Sequence, residues 1–364
     1  MFWKTKDMKR LLIFFCAVVS LMMTACIHTQ DPVPENERTA DFAKGADISW
    51  LTQMEKEGVR FYNSSGKEVE CTSLMKESGF DAIRLRIWVN PTGKWCDKAD
   101  LITKAKRAQK LGMDIMIDFH LSDTWADPGS QTTPVAWTGY SESEMMLAIQ
   151  AHVTDILQAL KDNSMNIKWV QIGNEVNQGM LWPAGKVNGE SVGSFVSYLN
   201  AGYDAAKSVY PETKVILHLS NGHDADLFNW FFGLMKIHEA RYDIIGMSLY
   251  PSWWENGRWC DWRPNVDKCL ENIRNLSTSY CKPVMICETG MPVNEPQMSK
   301  DAMEYILTET YELNECLGVF YWEPQTDGVW KPSEYEGLGW SAYDKGAFQE
   351  GSPTIALNPF KDLQ

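Results

Sequence analysis

From about residue 44 to residue 323, short apolar runs alternate with longer stretches of helical period. The runs are rich in Val, Ile and aromatic residues. They cover 44–49 (KGADIS), 81–89 (DAIRLRIWV), 113–121 (MDIMIDFHL), 168–175 (KWVQIGNE), 213–220 (TKVILHLS), 242–250 (YDIIGMSLY), 282–288 (KPVMICE) and 317–323 (LGVFYWE). Most are nearly continuous in apolar residues, as strands covered on both faces should be. Between them, "ADLITKAKRAQKLG" keeps apolar residues at helical spacing and ends on a glycine where a C-cap belongs. "SESEMMLAIQAHVTDILQALKDN" opens with Ser/Glu capping chemistry, and "DAMEYILTETYELNE" repeats the helical period. Eight strands alternating with helices predict an α/β fold, a single (β/α)8 TIM barrel. An open doubly wound sheet is the alternative. It would usually carry a Gly-rich nucleotide loop after its first strand, and "GADISWL" is not one.

The amino terminus lies outside this rhythm. "KTKDMKR" is basic, and "LLIFFCAVVSLMM" is a 13-residue apolar run. A spanning helix needs roughly 20 residues, so the run fits a secretory signal better. Met23-Thr24-Ala25-Cys26 follows and resembles the end of a bacterial lipoprotein signal, in which Cys26 is acylated. The expected organisation is a signal over 1–25, a polar lipidated tether over 26–41 and a catalytic barrel over 42–364. The protein is then expected outside the cytoplasm, held to a membrane by its lipid anchor, with simple secretion as the alternative.

Composition narrows the partners. The 364 residues are 44% hydrophobic and 23% charged, which suits a large ordered core. The formal net charge is −14, although the first residues are basic. Phosphate backbones and anionic lipid surfaces need Lys and Arg, so a nucleic-acid partner is excluded and a neutral one is favoured. Beyond Cys16 and Cys26, seven cysteines remain, which leaves at least one free thiol. Cys260 with Cys269 is a possible local bridge, and Cys287, in an apolar run, reads as a buried thiol. No C-x-x-C or H-E-x-x-H spacing appears, so neither a metal nor a cofactor is expected.

In such a barrel the chemistry sits at the carboxyl ends of the strands. Reading them in order gives Asp47; Arg84, Arg86 and Trp88; Asp118, His120, Asp123 and Trp125; Asn174 and Glu175; His218; Tyr250; Glu288; and Trp322 with Glu323. Glu175 and Glu288 lie on the fourth and seventh strands, across the mouth from each other. Two carboxylates flanking a cleft are what glycoside hydrolysis requires, one protonated and one ionised. Arg84 or Arg86 would hold Glu288 ionised, and Tyr250 could donate a hydrogen bond to it. Glu175 lacks a cationic neighbour in sequence and is the better acid. Asn174 could bond a sugar hydroxyl. Buried ion pairs that merely hold the barrel together would explain the charges but not the aromatics. Of 16 Trp, eight fall in the connecting loops: Trp50, Trp95, Trp125, Trp137, Trp182, Trp253, Trp254 and Trp330. A flat ring with one N–H donor suits the apolar face and hydroxyl rim of a sugar.

Seven segments together resemble glycoside hydrolase family 53, the endo-β-1,4-galactanases of the clan A barrels. They are "DAIRLRIWVNP", "DFHLSDTWADPGSQTTP", "QIGNEVNQGMLWP", "VILHLSNG", "SLYPSWW", "ICETGMP" and "VFYWEP", in that order from about residue 45 to residue 325. The resemblance implies a retaining mechanism, with Glu175 as acid/base and Glu288 as nucleophile. It implies substrate contacts from Arg84, His120, Asn174, His218, Tyr250 and Trp322, with Asp47, Asp123, Trp125 and Trp182 contacting substrate or supporting those that do. The implied substrate is a neutral β-1,4-galactan, such as the type I arabinogalactan side chains of pectin, taken by a monomer. "TGMPVNEPQMSKD" after Glu288 is shorter than the seventh loop of many relatives, so no calcium ion is expected there. Another clan A endo-glycanase, acting on mannan, xylan or glucan, is the alternative. A non-catalytic glycan-binding lipoprotein would normally have lost one carboxylate, and this chain keeps both.

Overall fold

The structure, a computed structural model, describes residues 41–188 and 192–363. The expected signal segment, Cys26 and the tether up to residue 40 lie outside the described residues. Eight parallel strands close into a barrel: β1 (Ala43–Asp47), β2 (Ala82–Ile87), β3 (Asp114–Phe119), β4 (Trp169–Ile172), β5 (Lys214–Leu219), β6 (Ile244–Leu249), β7 (Val284–Thr289) and β8 (Cys316–Trp322). Each falls in one of the eight apolar runs, within three residues of its bounds. β1 pairs with both β2 and β8, which closes the circle.

Two layers of side chains explain the strand pattern. Ala43, Ala82, Met116, Trp169, Ile216, Ile244, Met285, Cys287 and Phe320 form a separate core cluster contributed by all eight strands, the packed filling of the barrel. Alternate strand residues turn outward into the larger core shared with the helices. The helix Glu142–Asp162 shows how the outer layer is specified. It starts with a capping box between Ser141 and Glu144 and buries Met145, Ile149, Val153, Ile156, Leu157 and Leu160 on one face. Helices Lys98–Lys110, Phe195–Val209, Ala225–Ile237, Arg263–Tyr280 and Pro296–Tyr311 fill the same role after β2, β4, β5, β6 and β7.

Register sets which strand ends meet. Asp47 pairs with Arg84, Arg86 with Asp118, and Ser248 with Glu288. The possible Cys260–Cys269 bridge is not formed. Cys269 is buried inside the helix Arg263–Tyr280 against Met247 Sδ at 3.4 Å, while the Cys260 thiol meets the Glu255 carboxylate at 3.5 Å. Cys287 is a buried thiol, as its apolar run predicts.

Candidate active site

Arg84, 1% exposed within β2, ties the site together. Its Nη1 lies 2.8 Å from Asp47 Oδ2 and 2.9 Å from Glu288 Oε1; its Nη2 lies 2.9 Å from Asp118 Oδ2. Nη2 also donates to Asn174 Oδ1 at 2.9 Å. Burial works against the guanidinium charge, but Asp118, Glu288 and Asp47 outweigh it and hold its pKa well above the ordinary value. A buried ion group of this kind adds little net stability, yet removing one partner leaves a charge unpaired. Its contribution here is to geometry and charge: it brings a fixed cation against Glu288.

Glu288 also accepts a hydrogen bond from the Tyr250 hydroxyl at 3.0 Å. Burial raises the Glu288 pKa, and Arg84 and Tyr250 oppose that rise. Glu175 is raised by burial and then by the charge of Glu288. Among the described residues no ion pair reaches Glu175. Of the two carboxyls, Glu288 therefore ionises first and Glu175 keeps its proton longer. The backbone prepares this placement. Gly173 at φ +80° and Glu175 at φ +46° both sit in the left-handed region directly after β4. A Cβ on Gly173 would come within 2.6 Å of Val176 Cγ1, so a side chain there is excluded. Glu175 itself is held in a conformation costly for a non-glycine residue, of the sort that collects at functional sites.

Two histidines lie beside the carboxyls. His120 Nδ1 accepts from the Ala126 N–H at 3.1 Å and from Trp88 Nε1 at 3.4 Å, so its Nε2 carries the hydrogen and donates to Asp118 at 3.0 Å. His218 is fully buried, with Nδ1 3.1 Å from Asn174 Oδ1 and Nε2 2.9 Å from Ser248 Oγ. Burial pushes both histidines below their ordinary pKa, His218 furthest.

These groups border a cleft of about 320 Å³ lined by Glu175, Glu288, His120, Asn174, Tyr250, Trp125 and Trp322. Its far wall comes from the segment after β8, through Tyr335, Trp340, Tyr343, Asp344 and Lys345. Trp322 meets Tyr343 edge-on at 4.6 Å, and Arg86 lies 4.0 Å over the Trp125 ring. Both aromatic rings are thereby held rigid at the cleft wall. A pair of carboxyls with separated ionisation, in an aromatic cleft, can protonate a leaving oxygen and attack the carbon that bore it.

The profile of glycosyl hydrolase family 53 matches residues 43–360 of this chain. The chain belongs to that family. Among proteins it resembles, an uncharacterized protein of Niallia circulans is 32% identical over 328 residues, 81% of this chain and 86% of the other. An arabinogalactan endo-β-1,4-galactanase A of Emericella nidulans is 31% identical over 307 residues, 77% of this chain and 84% of the other. A structure from a study of two fungal β-1,4-galactanases superposes with a TM-score of 0.77 at 25% identity, covering 89% of this chain and all of that one. A family 53 catalytic domain of Ignisphaera aggregans gives 0.74 at 27% identity, over 91% and 97%. The protein is a glycoside hydrolase on a (β/α)8 barrel.

Against this background the expected residues of the family 53 enzyme fall into three groups. Glu175, Glu288, His120, Asn174, Tyr250, Trp125 and Trp322 line the cleft. Asp47, Arg84 and His218 are buried and are not among the cleft's lining residues: Asp47 pairs with Arg84, Arg84 reaches Glu288 and Asn174, and His218 reaches Asn174 and Ser248. Asp123 and Trp182 do not line the cleft: the Asp123 carboxylate accepts the N–H groups of Asn90 and Val135, both at 2.9 Å, and clamps two loops. Trp182 donates its indole N–H to Gln178 O and lies under Lys186 Nζ at 4.3 Å. Of the loop tryptophans, Trp125 lines the cleft and Trp253 and Trp254 are exposed, whereas Trp50 and Trp137 are packing residues. Trp50 is 2% exposed at the centre of an aromatic core with Trp125, Trp322 and Trp330, and Trp137 packs on His152. Arg84, and not Arg86, holds Glu288; Arg86 faces Glu323 at 3.7 Å. Sequence reading missed Ser248, Gln171 and the whole wall from Tyr335 to Lys345. The closely spaced aromatics of "SEYEGLGWSAYDK" were its available signal.

Proposed function

We propose that this enzyme hydrolyses internal β-1,4-galactosidic bonds of galactan with retention of anomeric configuration. The observation that carries the reading is the unequal pair: Glu288 held by Arg84 and Tyr250, Glu175 without an ion-pair partner among the described residues. The curated arabinogalactan endo-β-1,4-galactanases among its relatives support the substrate. In the first step the Glu175 O–H is transferred to the glycosidic oxygen as a Glu288 oxygen bonds to the anomeric carbon. The bond to the leaving sugar breaks, giving a galactosyl ester of Glu288. In the second step Glu175, now ionised, takes a proton from water. That water's oxygen displaces Glu288 and restores both carboxyls. Asn174 faces the cleft with its amide locked by Arg84 and Ala126, and is placed to bond a hydroxyl beside the reacting carbon.

The test uses linear β-1,4-galactan and follows new reducing ends and polymer length. Wild type should shorten the polymer rapidly. Glu175→Gln should fall by about 10²–10⁴-fold, and Glu288→Gln should give no product. Cleavage of mannan, xylan or glucan instead of galactan would overturn the substrate.

The reading also includes an anchored setting outside the cytoplasm, supported by the basic and apolar start followed by Thr24-Ala25-Cys26. Cys26→Ser should abolish labelling by a fatty-acid probe and release the enzyme from the membrane fraction. Unchanged labelling would remove Cys26 as the lipid site.

A further inference from the structure

Asn174, His218, Ser248 and Glu175 form one line of hydrogen bonds, with contacts of 3.1, 2.9 and 2.6 Å in that order. The hydrogen positions along it can be worked out from the Asn174 end. Arg84 Nη2 and Gln171 Nε2 can only donate, so the Asn174 atom they meet is its carbonyl oxygen. Its amide nitrogen donates one of its two hydrogens to Ala126 O at 2.8 Å. His218 Nδ1 faces the same carbonyl and must therefore carry a hydrogen. His218 is fully buried beside Arg84, and these two influences keep its ring neutral. Its Nε2 is then a lone pair, and Ser248 must donate to it. A serine has one hydrogen. Ser248 can consequently only accept at its 2.6 Å contact with Glu175, whose carboxyl must be the donor.

We propose that His218 and Ser248 are positioning residues that hold Glu175 in its acid form and serve its base form by the turn of a single hydroxyl. This rests on the reading of Glu175 as the proton donor. For transfer the Glu175 O–H turns from Ser248 toward the leaving oxygen, and as its proton is given up the Ser248 O–H turns from His218 to the new carboxylate. His218 Nε2 is then left without a donor in a buried place, which is unfavourable. That penalty ends when Glu175 takes a proton from the attacking water and Ser248 turns back. No proton passes through the hydroxyl; it only changes partner. The other groups that bear on Glu175 are Glu288, Asp127, Arg84 and Tyr250, and those that bear on His218 are Arg84, Asp118 and His120. The variants below leave all of them in place.

The first measurement needs no substitution and no substrate. Nitrogen-15 NMR of the histidine rings in the intact protein should show His218 as the neutral Nδ1–H tautomer across neutral pH. His120 should show the opposite Nε2–H tautomer, which provides an internal contrast. A hydrogen on His218 Nε2 at neutral pH would overturn the proposal. The second measurement follows the Glu175 carboxyl by carbon-13 NMR, identified by its loss in Glu175→Gln. Removing the acceptor with His218→Phe frees the Ser248 hydrogen for the carboxylate and should lower the Glu175 midpoint by about one pH unit. In a Ser248→Ala background the same change should shift it little. Equal shifts in both backgrounds would show that His218 does not act through the hydroxyl. Should His218→Phe fail to fold, the wild-type ring spectrum still decides. Failure on galactan leaves these readouts intact, so the two claims fall separately.

Discussion

At the scale of single residues, the chemistry depends on a difference between two glutamates that the sequence spells identically. Burial raises both. Only Glu288 has a guanidinium at 2.9 Å and a phenol at 3.0 Å. The proposed mechanism requires Glu288 ionised and Glu175 protonated, so kcat/KM should be bell-shaped in pH, with macroscopic limbs belonging to the pair. The sign of one change follows directly. Tyr250 donates to the charged form of Glu288, so Tyr250→Phe makes that form harder to reach. The acid limb should move to higher pH by about half to one unit, while the alkaline limb moves less. A pH profile with an acid limb unmoved or moved downward would show that the Tyr250 bond does not support the nucleophile's charge. Both glutamates were legible in the chain because each follows an apolar strand. Ser248 was not, because a serine inside "IIGMSLY" looks like any small strand residue until β5 and β7 are placed on either side of it.

At the scale of elements, the strands were legible to within three residues because burial on both faces leaves almost no polar interruption. What a one-dimensional pattern cannot carry is which side of the strand a tryptophan faces. Trp50 lies three residues past the end of β1 and packs on Trp322 at 4.9 Å. The segment after β8 was also opaque. Its side chains reach the cleft by a return path over the barrel mouth, with Tyr343 O–H donating to Trp322 O at 3.1 Å. The barrel filling makes a sharper prediction. A Cβ on Gly45 of β1 would fall within the ring of Phe320 on β8, where the two strands pair in register. Gly45→Ala should lower unfolding stability by about 1–3 kcal/mol through overpacking, read as a lower denaturant midpoint with an unchanged slope. A midpoint equal to wild type would mean that the Phe320 ring has room to move.

At the scale of the whole molecule, a closed barrel gives one rim, and every strand contributes to it. That is why a list of strand ends in the sequence already contained most of the site, the buried Arg84 group included. The Arg84 ion group is buried, while the cleft wall sets Trp125, Trp322, Tyr335, Trp340 and Tyr343 beside the two catalytic carboxyls. The net charge of −14 then fits an uncharged polymer. The central claim is that Glu175 and Glu288 act in turn through a covalent galactosyl intermediate on β-1,4-galactan. Its most direct test is proton NMR of galactan in the first minutes of hydrolysis, before mutarotation. The account predicts that new reducing ends appear first as the β-anomer, with the α-anomer growing in later. First appearance of the α-anomer would mean direct attack by water, and Glu288 would then be a base and not a nucleophile.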